Sequence, residues 1–214
     1  MKRFQGENLT CVRGGRRVFH DLNFALEAGG ALLLTGPNGS GKSSLLRIMA
    51  GLLRPAAGAL SRDGAAADDD PGGLRAEVHY IGHLDAVKPV LSVSENLAFW
   101  AGLRASDGSP IAGSLDRFGL GALAETPARL LSAGQRRRLA LSRLIAAPAV
   151  LWLLDEPSVG LDRDSLAALE AAIAGHRDTG GMVVVATHTT IDLPGAERLE
   201  LQNYEAGEMP ELIW

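Results

Sequence analysis

Cysteine and aromatic residues are scarce in this 214-residue chain, which has one Cys, three Trp, two Tyr and five Phe. The single Cys11 excludes an intrachain disulfide framework and a metal site built from cysteines alone, which fits a reducing compartment. Long apolar runs are missing too. The longest uncharged apolar stretch, residues 144–154, contains Pro148, meets Asp155, and falls short of the roughly 20 residues that a membrane-spanning helix needs. Residues 1–7 carry Lys2, Arg3 and Glu7 and lack the apolar core of a secretion signal. A cytoplasmic location is expected, with any membrane role peripheral. Basic residues are not in excess: 21 Lys and Arg stand against 25 Asp and Glu, a net charge of −4. Coating nucleic acid takes clustered positive charge, so no nucleic-acid partner is expected. The length suits one α/β core with room for an inserted lobe, and no internal repeat is visible.

What is present is a phosphate-binding pattern. Gly36, Pro37, Asn38, Gly39, Ser40, Gly41, Lys42, Ser43 and Ser44 follow the apolar residues 31–34 and precede Leu45, Leu46, Ile48 and Met49, giving strand, glycine loop and helix in that order. The glycines let the backbone N–H groups approach phosphate at a helix N-terminus, whose partial positive charge adds to the attraction. Lys42 then reaches the β- and γ-phosphates, and the Ser43 hydroxyl can ligand Mg²⁺.

Around this loop the pattern reads as α/β. Residues 7–13 and 16–27 alternate as half-buried antiparallel strands across Gly14-Gly15, residues 31–35 form a buried strand, and a helix runs from 42 to about 53, before Pro55. The breaker- and acid-rich residues 63–73 read as a solvated loop. Three adjacent aspartates do not converge on a cation. Residues 78–82 form a short strand, residues 85–147 are mainly helical, with helices at 94–100, 111–118 and 132–146, and strands return at 150–154 and 182–187 around a helix at 163–176. Residues 197–202 add an edge strand. The short links imply right-handed crossovers and a sheet covered on both faces.

A second acidic feature lies at the end of the apolar strand 150–154. Asp155 and Glu156 stand there, where nucleotide sites form in open α/β sheets. Asp155 is expected to hold Mg²⁺ through water, and Glu156 to act as general base on the attacking water. Neighbouring side chains on a strand point to opposite faces, so the two acids take different roles.

Leu131, Ser132, Ala133, Gly134 and Gln135 precede a helix that begins with Arg136, Arg137 and Arg138. Alone, Ser132 is a helix N-cap, and the three arginines are either an anion patch or a solvated face. Taken with the phosphate loop, Asp155-Glu156, Leu161-Asp162 and residues 184–188, the segment resembles the nucleotide-binding domains of ATP-binding-cassette (ABC) proteins, whose signature is Leu-Ser-Gly-Gly-Gln. The resemblance covers essentially the whole chain. It implies a single domain over residues 1–214: a P-loop NTPase core with a mixed sheet and an antiparallel β edge subdomain (1–84 and 148–214), and an inserted helical subdomain (85–147). It also implies ATP and Mg²⁺ as cofactors, and a head-to-tail homodimer in which residues 131–135 of one copy cap the ATP held by the other. His188 would touch the γ-phosphate and Asp162 would bridge the copies.

Two positions depart from the family pattern. Leu84 stands where a glutamine is usual, so either His83 or Asp85 substitutes or the loop serves as a mechanical hinge to a membrane partner. Arg13 stands where an aromatic residue usually stacks on adenine, and a guanidinium plane can stack likewise. The short length, residues 81–83 with Lys88-Pro89, residues 131–141 and residues 180–184 resemble the ATP-binding subunits of the bacterial cytochrome c maturation system. That resemblance implies ATP hydrolysis at the cytoplasmic face of the cell membrane, driving release of a haem-loaded chaperone through integral membrane subunits. Another small importer or exporter is the alternative. A soluble ABC ATPase acting on nucleic acid or ribosomes usually needs tandem domains or long coiled-coil insertions, and a P-loop kinase has no use for the signature or His188. None of the five histidines sits in a haem-attachment pattern.

Overall fold

A computed structural model describes residues 1–104 and 111–204. Residues 105–110 of the expected helical segment, and the last ten residues of the expected domain, lie outside the described residues. The chain begins with a long hairpin, β1 (Arg3–Arg13) and β2 (Arg16–Glu27). Its turn, Gly14-Gly15, has φ of 54° and 76°, the doubly left-handed geometry that a two-residue hairpin loop demands. Alternating Phe4, Leu9, Cys11, Phe19, Leu22 and Leu26 turn inward. β3 (Ala31–Thr35) leads through the phosphate loop into α1 (Lys42–Met49).

α1 ends earlier than expected. Gly51, at φ 65°, closes it with its N–H bonded to the Ile48 carbonyl, ahead of Pro55. The next stretch also differs from the expected loop. It holds β4 (Ala57–Arg62), the two-residue β5 (Ala65–Ala66) and α2 (Pro71–Glu77). Asp70 caps α2 by accepting the Gly73 N–H at 2.8 Å and pairs with Arg62 at 3.2 Å. An aspartate followed by proline at the first helical position was a readable start signal within the acidic run.

β6 (Val78–Ile81) follows, then α3 (Val93–Gly102), α4 (Ile111–Arg117) and α5 (Ala133–Ala146). The chain returns to the sheet with β7 (Leu151–Asp155), α6 (Arg163–Asp178), β8 (Met182–Ala186) and β9 (Glu197–Glu200). Antiparallel and parallel pairing are segregated. One sheet, β2-β1-β4-β5, is antiparallel; the other, β6-β7-β8-β3-β9, is parallel throughout. Every residue of β7 and β8 is buried, as their unbroken apolar sequences demand of strands covered on both faces.

One core joins the antiparallel sheet, α1 and one face of the parallel sheet. A second fills the opposite face against α5 and α6. A third joins α3, α4 and α5. α5 belongs to two of them: Leu141 and Leu144 pack on the sheet and Leu139 on the other helices.

Candidate functional site

The site is an edge property of the parallel sheet. Leu34 of β3 pairs with Ala186 of β8, and Ala186 pairs with Asp155 of β7. Strands sit about 4.8 Å apart, so these residues span roughly 10 Å. The residues that follow them, 35–36, 187–188 and 156, therefore emerge side by side at one carboxyl edge.

The phosphate loop is held open by glycine geometry. Gly41 has φ 100°, and a Cβ there would lie 2.7 Å from Val18 and 2.9 Å from Phe19. The end of the β1–β2 hairpin thus presses on the loop. The same packing brings Cys11 against Ser44; burial raises the Cys11 thiol pKa, offset in part by its bond with Ser44. Arg13 is exposed near the hairpin turn, opposite Arg16. Lys42 is buried, and its ammonium donates to the Gly36 carbonyl at 2.7 Å and the Pro37 carbonyl at 3.0 Å. The first-turn N–H groups of α1 have no partner within the helix. Ser40 Oγ is buried without a hydrogen-bond partner. A curled backbone with unspent donors, ending in an ammonium and the Ser43 hydroxyl, fits a polyphosphate.

At the other side of this edge Asp155 is 4% exposed. Its electrostatic neighbours are the Tyr80 phenol, whose pKa burial raises, and through Tyr80 the Arg47 guanidinium. A buried carboxylate and the Ser43 hydroxyl are hard oxygen donors of the kind Mg²⁺ takes. Glu156 lies beyond the strand, at φ 49°. Its separation from Asp155 therefore comes from a left-handed backbone turn rather than from strand alternation. The carboxylate meets His188 twice: Nδ1 lies 2.8 Å from Oε1, and the His188 N–H donates to Oε2 at 3.3 Å. The neighbouring turn is tied in by Ser158 and Thr189, whose hydroxyls lie 2.6 Å apart.

The signature residues sit at the head of α5. Leu131 is buried, while Ser132 and Ala133 are exposed. Ser132 and Gln135 form a reciprocal capping box, each accepting the other's backbone N–H, at 3.2 and 2.8 Å. Gly134 lies close to the Gly160 carbonyl, 3.1 Å from where a Cβ would stand. Asp162 caps α6 through the Ser165 N–H at 2.8 Å, and Ser165 holds its carboxyl below the usual range.

The arginines at 136–138 form neither an anion patch nor a solvated face. Arg136 donates to the Leu131 carbonyl and Arg138 to the Phe118 carbonyl. Arg137 is buried and bonds to Gly82, Asp85, Asp155 and Glu156. The residues after β6 are thereby placed: Asp85 is committed to Arg137, and Leu84 is 83% exposed. Leu84, His83 and Gly82 line a groove of about 1170 Å³, bounded by Trp100 and Leu103 of the α3 end and by Arg143 of α5.

Residues 19–159 match the ABC transporter family. A cytochrome c biogenesis ATP-binding export protein of Paramagnetospirillum magneticum is 56% identical over 209 residues, covering 96% of this chain and 96% of that one. Its counterpart in Rhodospirillum rubrum is 58% identical over 201 residues, covering 94% and 86%. Among solved structures, a putative ABC transporter ATP-binding protein of Pyrococcus furiosus superimposes with a TM-score of 0.83 at 21% identity, over 95% of this chain and all of that one.

Proposed function

This chain belongs to the ABC transporter family and is an ATPase, and we propose that it is the energising subunit of a membrane export complex serving cytochrome c biogenesis. The carrying observation is the convergence of the phosphate loop, Asp155-Glu156 and His188 on three adjacent parallel strands, with Glu156 hydrogen-bonded to His188. The near full-length identity to two export proteins of that system supports the narrower assignment.

On ATP binding, Lys42 exchanges the Gly36 and Pro37 carbonyls for phosphate oxygens, while the loop N–H groups of residues 39–43 cradle the phosphates. Ser43 and Asp155 would hold Mg²⁺, which would supply charge neutralisation at the phosphates. Arg13, at the hairpin end beside the loop, stacks on the base. Glu156 takes the proton of the attacking water, and His188, fixed by that same carboxylate, contacts the γ-phosphate. The exposed head of α5, residues 131–135, caps the ATP of a second copy, and Asp162 lies at the seam between copies. Two identical composite sites follow from the two-fold arrangement.

Among the described residues no helix is long and apolar enough to cross a membrane. The proposed complex works through separate membrane subunits, with this chain peripheral at the cytoplasmic face. The groove beside residues 82–86 receives them: Leu84, Leu103 and Leu52 expose apolar surface around it, and among the described residues Arg47, Arg75, Arg104 and Arg143 line it without a carboxylate. It suits an apolar segment that carries an acid. Purification of the tagged chain from detergent-solubilised membranes tests the assignment. Recovery of small integral membrane proteins that handle haem is expected; a chain that emerges alone, or with subunits of an unrelated transporter, contradicts it.

A further inference from the structure

Arg137 spans two segments far apart in sequence. Its Nη1 donates to the Gly82 carbonyl at 2.9 Å and the Asp85 carboxylate at 3.1 Å, both in the loop that walls the groove. Its Nη2 donates to the carbonyls of Asp155 at 3.0 Å and Glu156 at 2.8 Å. The strands explain the reach. β6 and β7 pair in register up to Ile81 and Leu154, so Gly82 and Asp155 are the next residues along one sheet edge, and a single planar guanidinium entering from α5 meets both.

The Glu156 backbone is the sensitive end. Its φ of 49° is a conformation that a residue with a Cβ holds only where its surroundings fix it. Three bonds do so: the Glu156 N–H donates to the Ala186 carbonyl at 2.8 Å, and the Glu156 carbonyl accepts from Arg137 at 2.8 Å and from the Val159 N–H at 3.3 Å. That backbone aims the carboxylate at His188. At the other end α5 grips the loop a second time, where Arg143 donates to the Asp85 carbonyl at 3.1 Å while lying over the Trp100 ring at 3.9 Å.

We propose that Arg137 is a positioning residue that links the groove loop at residues 82–85 to the carboxylate of Glu156. Both of its Nη atoms are engaged with protein oxygens. A segment entering the groove meets Gly82, His83 and Leu84 and shifts the loop. The rigid guanidinium then carries that shift to the carbonyls of Asp155 and Glu156, since one planar group makes both pairs of bonds. A lysine cannot do this, because one ammonium point charge does not present donors along two parallel directions. The signature helix, which carries Arg137, thereby reports on both sites at once.

This inference rests on Glu156 being the general base, and the experiment separates the two. ATP turnover, KM and nucleotide affinity are measured on the full chain for Arg137→Lys, Asp85→Ala, their double variant and Glu156→Gln. A misplaced base gives a kcat loss of about ten- to a hundredfold in Arg137→Lys. ATP KM and affinity stay within about twofold, since the phosphate loop is untouched. Asp85→Ala lowers kcat less, and the double variant is no slower than Arg137→Lys, because Asp85 acts through it. Should Arg137→Lys fail to fold, Asp85→Ala carries the same kcat-without-KM prediction. Unchanged kcat in the soluble variants, additive losses, or losses of kcat, affinity and folded fraction in parallel overturn the proposal. An inactive Glu156→Gln beside fully active Arg137 and Asp85 variants removes only this inference. A fully active Glu156→Gln removes the base assignment and this inference with it.

Discussion

Single residues decide which departures from the family pattern matter. Leu84 stands where a glutamine would reach toward the nucleotide, yet it is 83% exposed at the groove. Asp85, the nearest acid, is held at 3.1 Å by Arg137 and is not free to replace that glutamine. His83, the other candidate, is exposed and lines the groove, and together these placements favour the hinge over the water ligand. Accordingly, Leu84→Gln in the isolated chain is expected to leave ATP hydrolysis within about twofold, as a surface exchange remote from the reacting atoms should. A marked acceleration in a steady-state phosphate-release assay would restore the water-ligand reading. The placement of Lys42, Ser43, Asp155 and Glu156 at one sheet edge was legible in the sequence because it is local: a loop, the helix after it and the end of one strand. Arg137 was not. Its four acceptors come from two segments, one after β6 and one at the end of β7, that only the β6–β7 pairing brings together, and one arginine among three gives no sign of which way it points.

At the scale of elements, β6 and α5 are joined by more than apolar packing. His79, inside β6, is bonded to the Ala147 carbonyl just past α5. Burial pushes its imidazole from the ordinary 6.5 down to about 3, helped by the nearby Arg104 cation. The sign follows from linkage. Between pH 6.5 and about 3 the unfolded chain holds this proton and the folded chain does not, so stability is full above pH 6.5 and falls as pH drops through that window. The contribution is about 1.4 kcal/mol per pH unit. Urea unfolding of the wild type and His79→Phe across pH 4–8 checks it: the variant should lose this component of the slope, and parallel profiles would refute it. The element map itself was readable where apolar runs or alternation were strong, as in β2, β7 and β8. It failed at β4 and β5, whose small, largely exposed residues give little periodicity, and at α2, whose glycines masked a capped start.

For the whole molecule, the proposal is that neither set of functional groups completes an ATP site within one copy. The phosphate loop, Asp155, Glu156 and His188 share the carboxyl edge of the parallel sheet, while Ser132 and Ala133 stand exposed at the head of α5. ATP that bound only between two copies would stabilise the pair by mass action, and hydrolysis would release it. The most direct test is therefore one preparation of Glu156→Gln with saturating Mg²⁺ and ATP, assayed for phosphate release and by sedimentation equilibrium. Turnover reduced to near background, with retained nucleotide and a mass of twice the monomer, is the predicted result; wild-type turnover from a species that stays monomeric would contradict it.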